Sequence, residues 1–237
     1  MKFSSFERSL TVAAIALVLA LAGACAQIPV GPPVAAPSLA VGDHWRYRVV
    51  DYLHRSAESQ LDVEIVAISG GVADLRIVHT EDGKRSEWTD RIDAHGGLHA
   101  GMLGSAETRH FAPPAALLSF PLAQGKIWRQ SVPTFRTDID LPDEILIYGD
   151  VQGRAPVVVP AGDFDAVQVY RVLQFDDAEF WRTRTIRRDQ VWYAPEVKGV
   201  VREIRYAEYF EHGDNDSTAV YTERRAFELT SFRPGRA

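Results

Sequence analysis

From Leu39 onward, apolar and polar residues alternate with a period of two, the pattern of strands covered on one face. Trp45, Tyr47 and Val49 share one side; His44, Arg46 and Arg48 share the other. Leu61, Val63, Ile65 and Ala67 alternate with Asp62 and Glu64, and after Gly70-Gly71 the alternation resumes with Ala73, Leu75 and Ile77. Asp82-Gly83 leads into the stretch 85–92. Two-residue glycine turns between alternating runs predict hairpins. Downstream, Ile145 and Ile147 run toward a turn expected at Gly149-Asp150, and the apolar run 157–159 ends in a turn at 160–163. Val167, Val169, Leu173 and Phe175 share a face before a polar turn at Asp176-Asp177. On 200–210, Val200, Ile204, Tyr206 and Phe210 lie on one side. A polar hairpin loop at 212–216 precedes a last strand, about 218–232, with Tyr221, Phe227 and Leu229 on one face. The count is ten to twelve strands, and the best helical candidate is the short stretch 114–118. This predicts an all-β, mainly antiparallel meander, curved or partly closed and half-barrel-like.

The first 24 residues break the pattern. Lys2 and Arg8 form a basic start, and 10–21 is an uncharged run of 12 residues, too short to span a bilayer but suited to an export signal. Small residues lead to Cys25, the only cysteine. Residues 1–24 resemble a lipoprotein-type signal peptide whose lipobox ends at an acylated cysteine. The resemblance implies Cys25 as the lipidation site, although Ala22 stands where that motif usually has leucine. Simple cleavage after small residues is the alternative. Residues 25–38 carry four prolines and no charge, and read as an extended tether. Residues 39–237 form the β domain, with no composition break to divide it.

Composition narrows the function. The chain is 46% hydrophobic and 24% charged, with a net charge of -6, so a basic surface for nucleic acid is absent. One cysteine excludes an internal disulfide framework and a cysteine-based zinc site. None of the seven histidines has the helical zinc spacing; His95 and His99 flank Gly96-Gly97 and are read as solvated loop residues. No G-x-S-x-G elbow occurs. Asp138, Asp140, Asp143 and Glu144, and likewise Asp214 and Asp216, lack the EF-hand pattern and are read as turn and edge charges. Trp181, Trp192, Tyr193, Tyr206, Tyr209, Phe210 and Tyr221 are expected mainly in the core. Arg182, Arg184, Arg187 and Arg188 are expected on a solvated, salt-bridged hairpin. No catalytic residue, metal site or cofactor is assigned.

Three stretches together resemble a family of exported bacterial proteins of unknown function, sometimes labelled TapB-like. They are G-D-x-W-x-Y-x-V at Gly42–Val49, V-P-A-G-x-F-x-A-x-x-V at Val159–Val169, and W-Y-A-P-x-V-x-x-V at Trp192–Val200. Lys198-Gly199 departs from the pattern, which puts glycine directly after Val197. The resemblance implies a β-rich envelope domain and brings no catalytic residues. The fold style is also similar to the curved half-barrels of lipoprotein carriers, an architectural likeness only.

The expectation is therefore a non-catalytic envelope lipoprotein, lipid-anchored in the membrane, facing the periplasm and sorted to the outer membrane. Its β domain would bind an amphiphile or another envelope protein. The alternatives are a secreted or periplasmic hydrolase using loop histidines and carboxylates, and a structural accessory subunit. One repeat remains. L-A-x-G-x-x-W-R occurs at 39–46 and again at 122–129. Gly42 with Trp45, and Gly125 with Trp128, are read as equivalent scaffold anchors opening two similar halves; Gly162, Trp192 and Pro195 are the other expected anchors.

Overall fold

The computed structural model describes residues 31–53, 57–103, 107–136, 141–176, 182–212 and 218–236. Twelve strands follow in chain order: β1 (His44–Asp51), β2 (Ala57–Ser69), β3 (Val72–Glu81), β4 (Lys84–Asp93), β5 (Gly97–Gly101), β6 (Arg109–Ala116), β7 (Ile127–Arg136), β8 (Leu141–Val159), β9 (Gly162–Phe175), β10 (Arg182–Ala194), β11 (Gly199–His212) and β12 (Thr218–Arg233). They make one antiparallel sheet in the order β6-β5-β4-β3-β2-β1-β12-β11-β10-β9-β8-β7. Because β1 pairs with β12, the meander winds into a nearly closed barrel with one seam, between β6 and β7.

Proline explains why that seam stays unzipped. β6 contains Pro113 and Pro114, and β7 contains Pro133, so both edges lack donors for a ladder. Side chains close the gap instead. The Gln130 amide donates to Pro114 O and accepts from Ala116 N, both at 2.8 Å, and the Trp128 indole donates to Ala116 O at 2.9 Å. Arg109 on β6 adds an ion pair with Asp143 on β8 at 3.1 Å.

The L-A-x-G-x-x-W-R repeat is a structural repeat. In each copy a turn with positive φ at its third residue (Gly42 at 87°, Gly125 at 79°) precedes the strand. In each, the residue after the glycine donates back to the alanine carbonyl: Asp43 N to Ala40 O at 3.0 Å, Lys126 N to Ala123 O at 2.9 Å. Each glycine N–H bonds the neighbouring strand, at Ile65 O and Val151 O, and Ile65 N and Val151 N bond back to Asp43 O and Lys126 O. A register shift follows at once in both halves, between Ile65 and Ala67 and between Val151 and Gly153.

The halves then diverge. Hairpin β2–β3 closes four residues after Ile65 in a glycine turn, whereas β8 continues to Val159. The longer β8–β9 tip lies across the end of the barrel: Ala161 N donates to Leu229 O on β12 at 2.9 Å, and Val157, Val159 and Ala166 pack with Trp45, Ile65 and Leu75. An eight-stranded barrel is just filled by its own side chains, so twelve strands enclose more space than that. The hairpin tip occupies one end of the excess.

Several details depart from the sequence reading. Gly149-Asp150 is no turn but the middle of β8, and glycine is required there because the Trp128 ring lies where a Cβ would stand. Residues 114–118 are strand end and bend, not helix; the helical element among the described residues is a 3-10 turn, Pro195–Val197. The inward face of β11 is the one carrying Val201, Glu203, Ala207 and Tyr209, which are buried; Ile204, Tyr206 and Phe210 are half-buried on the other face, and Val200, at the strand's start, packs partly buried against the core. Tyr206 and Phe210 stay outside the core and Trp192 packs partly buried against it; each lies beneath an arginine, Arg188 at 6.0 Å, Arg184 at 6.0 Å and Arg202 at 5.5 Å from the ring centroid. Tyr193 is buried in the core as expected.

Candidate functional site

The two ends of the barrel differ in chemistry. At the closed end, residues of the stretches Gly42–Val49, Val159–Val169 and Trp192–Val200 come together. Asp43 is fully buried there; it accepts from Ala40 N at 2.8 Å and Gly235 N at 2.7 Å, and its two oxygens lie 3.1 Å from Lys198 Nζ. Lys198 thus makes a specific contact at the position that departs from the family pattern, in a left-handed conformation at φ 53°. Trp45 donates its indole N–H to Val197 O at 2.7 Å and lies against Gly199, where a Cβ would stand 2.7 Å from the ring nitrogen. Tyr47 OH donates to Val200 O at 2.9 Å. Pro195 opens the 3-10 turn that presents Val197 O, and Gly162 (φ 135°) starts β9 beside the plug turn. These residues hold the end shut.

Residues 31–43 arrive at this same end. Val34, within the stretch assigned to the tether, is buried and exchanges backbone hydrogen bonds with Leu122 at 2.9 and 2.8 Å. Cys25 lies outside the described residues, as do Trp181, Asp138, Asp140, Asp214 and Asp216.

Midway through the barrel the inward positions become charged. Asp189 on β10 is fully buried and accepts from Arg171 Nε at 2.9 Å and Nη2 at 2.6 Å, and from Arg187 Nη2 at 3.0 Å. Arg171 also bonds Leu117 O at 3.0 Å and Glu203 at 3.2 Å. Arg187 also reaches Leu103 O, and Arg205 Nε donates to Glu203 Oε1 at 2.6 Å. Burial alone would raise the Asp189 carboxyl, but Arg187, Arg171 and Arg205 override it and hold it down to about 2. Glu203 is likewise held below its ordinary value, by Arg205 and Arg171 against burial. So Arg187 belongs to a buried network, not to the solvated hairpin expected for 182–188, whereas Arg188 does pair with Glu208 outside at 2.7 Å. The expected reading failed because a cluster of arginines looks like a surface when its partners lie on other strands.

Above this layer, at the end remote from residues 31–43, is a cavity of about 280 Å³. Leu61, Ile77, Leu103, Phe175 and Phe227 supply its apolar lining, and Arg182, Arg187, Arg205, Asp90 and Glu223 its charged lining. Burial pushes the Asp90 carboxyl up to about 6, opposed by the Met102 amide and by Arg205. At the rim, Tyr209 stacks on Tyr221 at 5.9 Å, and the Arg182 guanidinium lies 3.9 Å from the Tyr209 centroid.

The residues considered for catalysis do not assemble. His99 pairs with Asp93 at 3.0 Å and the His95 amide bonds the same carboxylate, both outside the cavity. A pairing the sequence did not suggest is His79 Nε2 with Ser59 Oγ at 2.8 Å, where His79 also lines the cavity. No carboxylate orients the other ring nitrogen among the described residues, so the relay that activates a serine is incomplete. No group of three or more histidine, cysteine, aspartate or glutamate side chains among the described residues could hold a metal ion. No described helix is long and apolar enough to cross a membrane.

No family model matches the chain, and no curated protein matches it. Among solved structures the chain is similar to the following three. A protein of Parabacteroides distasonis described as a "putative lipoprotein" superposes with a TM-score of 0.48 at 12% identity, over 86% of this chain and 100% of its own. A "putative exported protein with YmcC-like fold" of Bacteroides fragilis gives 0.41 at 12% identity, over 85% and 100%. The "hypothetical lipoprotein YmcC" of Escherichia coli gives 0.39 at 7% identity, over 84% and 88%.

Proposed function

We propose that this chain is a non-catalytic, lipid-anchored protein of the cell envelope whose barrel holds a small amphiphile in the mouth cavity. The cavity carries this reading: about 280 Å³, lined by both apolar and charged side chains, at the end away from the incoming chain. That combination of an apolar lining with a few convergent polar groups suits a bound small molecule, near the lower edge of the usual ~300–1,000 Å³. A lipid on Cys25 would draw the closed end toward the membrane, since residues 31–43 attach there, and would leave the mouth facing water. The hydrolase alternative has only the Ser59–His79 pair in its favour, and that pair lacks an orienting acid.

Native mass spectrometry of the protein isolated from its own membranes tests the reading. A one-to-one small-molecule adduct is expected, and Ala207→Trp, which fills the cavity from β11, should abolish it. An adduct that survives Ala207→Trp, or none in the wild type, contradicts the proposal.

A further inference from the structure

The charged lining of the cavity is not evenly satisfied. Arg187 directs its donors to Asp189 and Leu103 O, and Arg182 directs its own to Tyr209 and Glu223. Arg225 faces Asp51 at 3.6 Å. Arg205 differs. Glu203 fixes its Nε from behind, and its guanidinium lies 4.3 Å from the Phe227 centroid. Its two terminal nitrogens have no hydrogen-bond partner among the described residues, and 38% of the side chain is open, on the cavity side. The indole N–H of Trp88, on β4 across the same cavity, is buried and lies toward the Asp90 carboxyl without a well-formed hydrogen bond. A guanidinium braced on one edge and free on the other presents a planar fork that matches one carboxylate.

We propose that the cavity binds a small carboxylic acid, its carboxylate held by the terminal nitrogens of Arg205 and its apolar body against Leu103, Phe175 and Phe227. This rests on the cavity being the binding site. The size sets the class: about 280 Å³ is the space of about nine water molecules at ~30 Å³ each, enough for a short aliphatic or single-ring acid but not for a diacyl lipid.

Bringing an anion to this lining has a consequence for Asp90, whose carboxyl shares the cavity with Arg205. The groups sharing the cavity with Asp90 are Trp88 on its own strand, His79 from β3, Met102 after β5, Arg182 and Arg187 from β10, Arg205 from β11, and Glu223 and Arg225 from β12. Asp189 and Glu203 are held ionised by their arginines, whereas Asp90 is already pushed up to about 6. An entering carboxylate raises it further, because like charges disfavour each other. Binding is therefore accompanied by uptake of one proton on Asp90, and affinity falls by up to ~10-fold per pH unit above about 6.

The test is isothermal titration of octanoate, octan-1-ol and octyl phosphate into the full-length protein in lipid nanodiscs, between pH 5.5 and 8.5, with empty nanodiscs as the blank. Octanoate should bind one-to-one and weaken as pH rises. Asp90→Asn should remove the pH dependence and bind octanoate at least ~10-fold more tightly at pH 7.5. Arg205→Met should lose at least ~10-fold for octanoate while leaving octan-1-ol unchanged. His79→Gln, the control for the histidine that also lines the cavity, should keep the pH dependence. The wild-type pH series needs no variant, so a variant that fails to fold does not remove the test. Equal binding of octanoate and octan-1-ol without pH dependence, or a preference for octyl phosphate, overturns the carboxylate proposal while leaving the cavity as the site. Binding of no probe, or binding that Ala207→Trp leaves intact, overturns the cavity reading as well.

Discussion

Replacing Asp189 with leucine removes the one fully buried anion shared by two buried arginines. Arg171 loses hydrogen bonds of 2.9 and 2.6 Å and keeps Leu117 O and Glu203; Arg187 loses its carboxylate contacts and keeps Leu103 O. Breaking one side of a buried ion pair costs ~3–5 kcal/mol, because the remaining charge is left desolvated and uncompensated. Against a total stability of ~5–15 kcal/mol that is a large share. At ~2–4 °C per kcal/mol for a domain of this size, the melting temperature should fall by ~6–20 °C. Urea titration followed by tryptophan fluorescence, with calorimetry at pH 7, measures both. Arg171→Met, Arg187→Met and Asp189→Leu combined should recover most of the loss, since an apolar replacement of a whole buried ionic group is often neutral or better. The pH dependence has a definite sign. The Asp189 carboxyl is held at about 2, below its unfolded value, so its contribution is present above ~4 and is lost as pH falls toward 2. An Asp189→Leu protein within 1 kcal/mol of wild type, or a triple variant as unstable as the single one, would refute the idea that this layer is a mutually compensated buried network.

Other outcomes follow from the same geometry. Asp90 has the opposite sign: its folded value is raised, so its ionisation destabilises the fold, and Asp90→Asn should add ~2–3 kcal/mol in urea melts at pH 7.5, a gain that fades as pH falls through about 6 toward 4. Trp45→Ala should cost ~3–5 kcal/mol, as it removes a buried ring and leaves Val197 O without its donor; Gly149→Ala, which drives a Cβ into the Trp128 ring, should cost ~1–3 kcal/mol and be relieved by Trp128→Leu. Radiolabelled palmitate should attach to the wild-type chain and not to Cys25→Ser, and an unlabelled wild type would remove the anchor from the account.

The strands were legible because most of them obey a period of two with one apolar face. Both glycine hairpins at Gly70-Gly71 and Asp82-Gly83 follow from positive φ that the sequence signals directly. The repeat at Gly42–Trp45 and Gly125–Trp128 points to two similar halves because a turn and its glycine are local requirements, although Trp45 is buried and Trp128 only half-buried. What was not legible is the interior charge. On β9 the apolar series Val167, Val169, Leu173, Phe175 skips one inward place, and that place is Arg171. On β10 the inward series runs Arg187, Asp189, Val191, and on β11 it runs Val201, Glu203, Arg205, Ala207. The apolar residues of β11 do not single out its inward side, because its outer aromatics are covered by arginines while its inner face carries the ion pairs. A charged residue in phase with buried apolar ones on three successive strands is the signal that could have exposed the network. Its partners become neighbours only through the register of β9, β10 and β11.

The most direct measurement is a crystal structure of the protein isolated from its own membranes without delipidation. The account predicts density for one small molecule in the mouth cavity, with an acidic group at the free edge of Arg205 and its body against Phe175 and Phe227. A cavity holding only water, or a ligand bound on the outer face of the barrel, would contradict it.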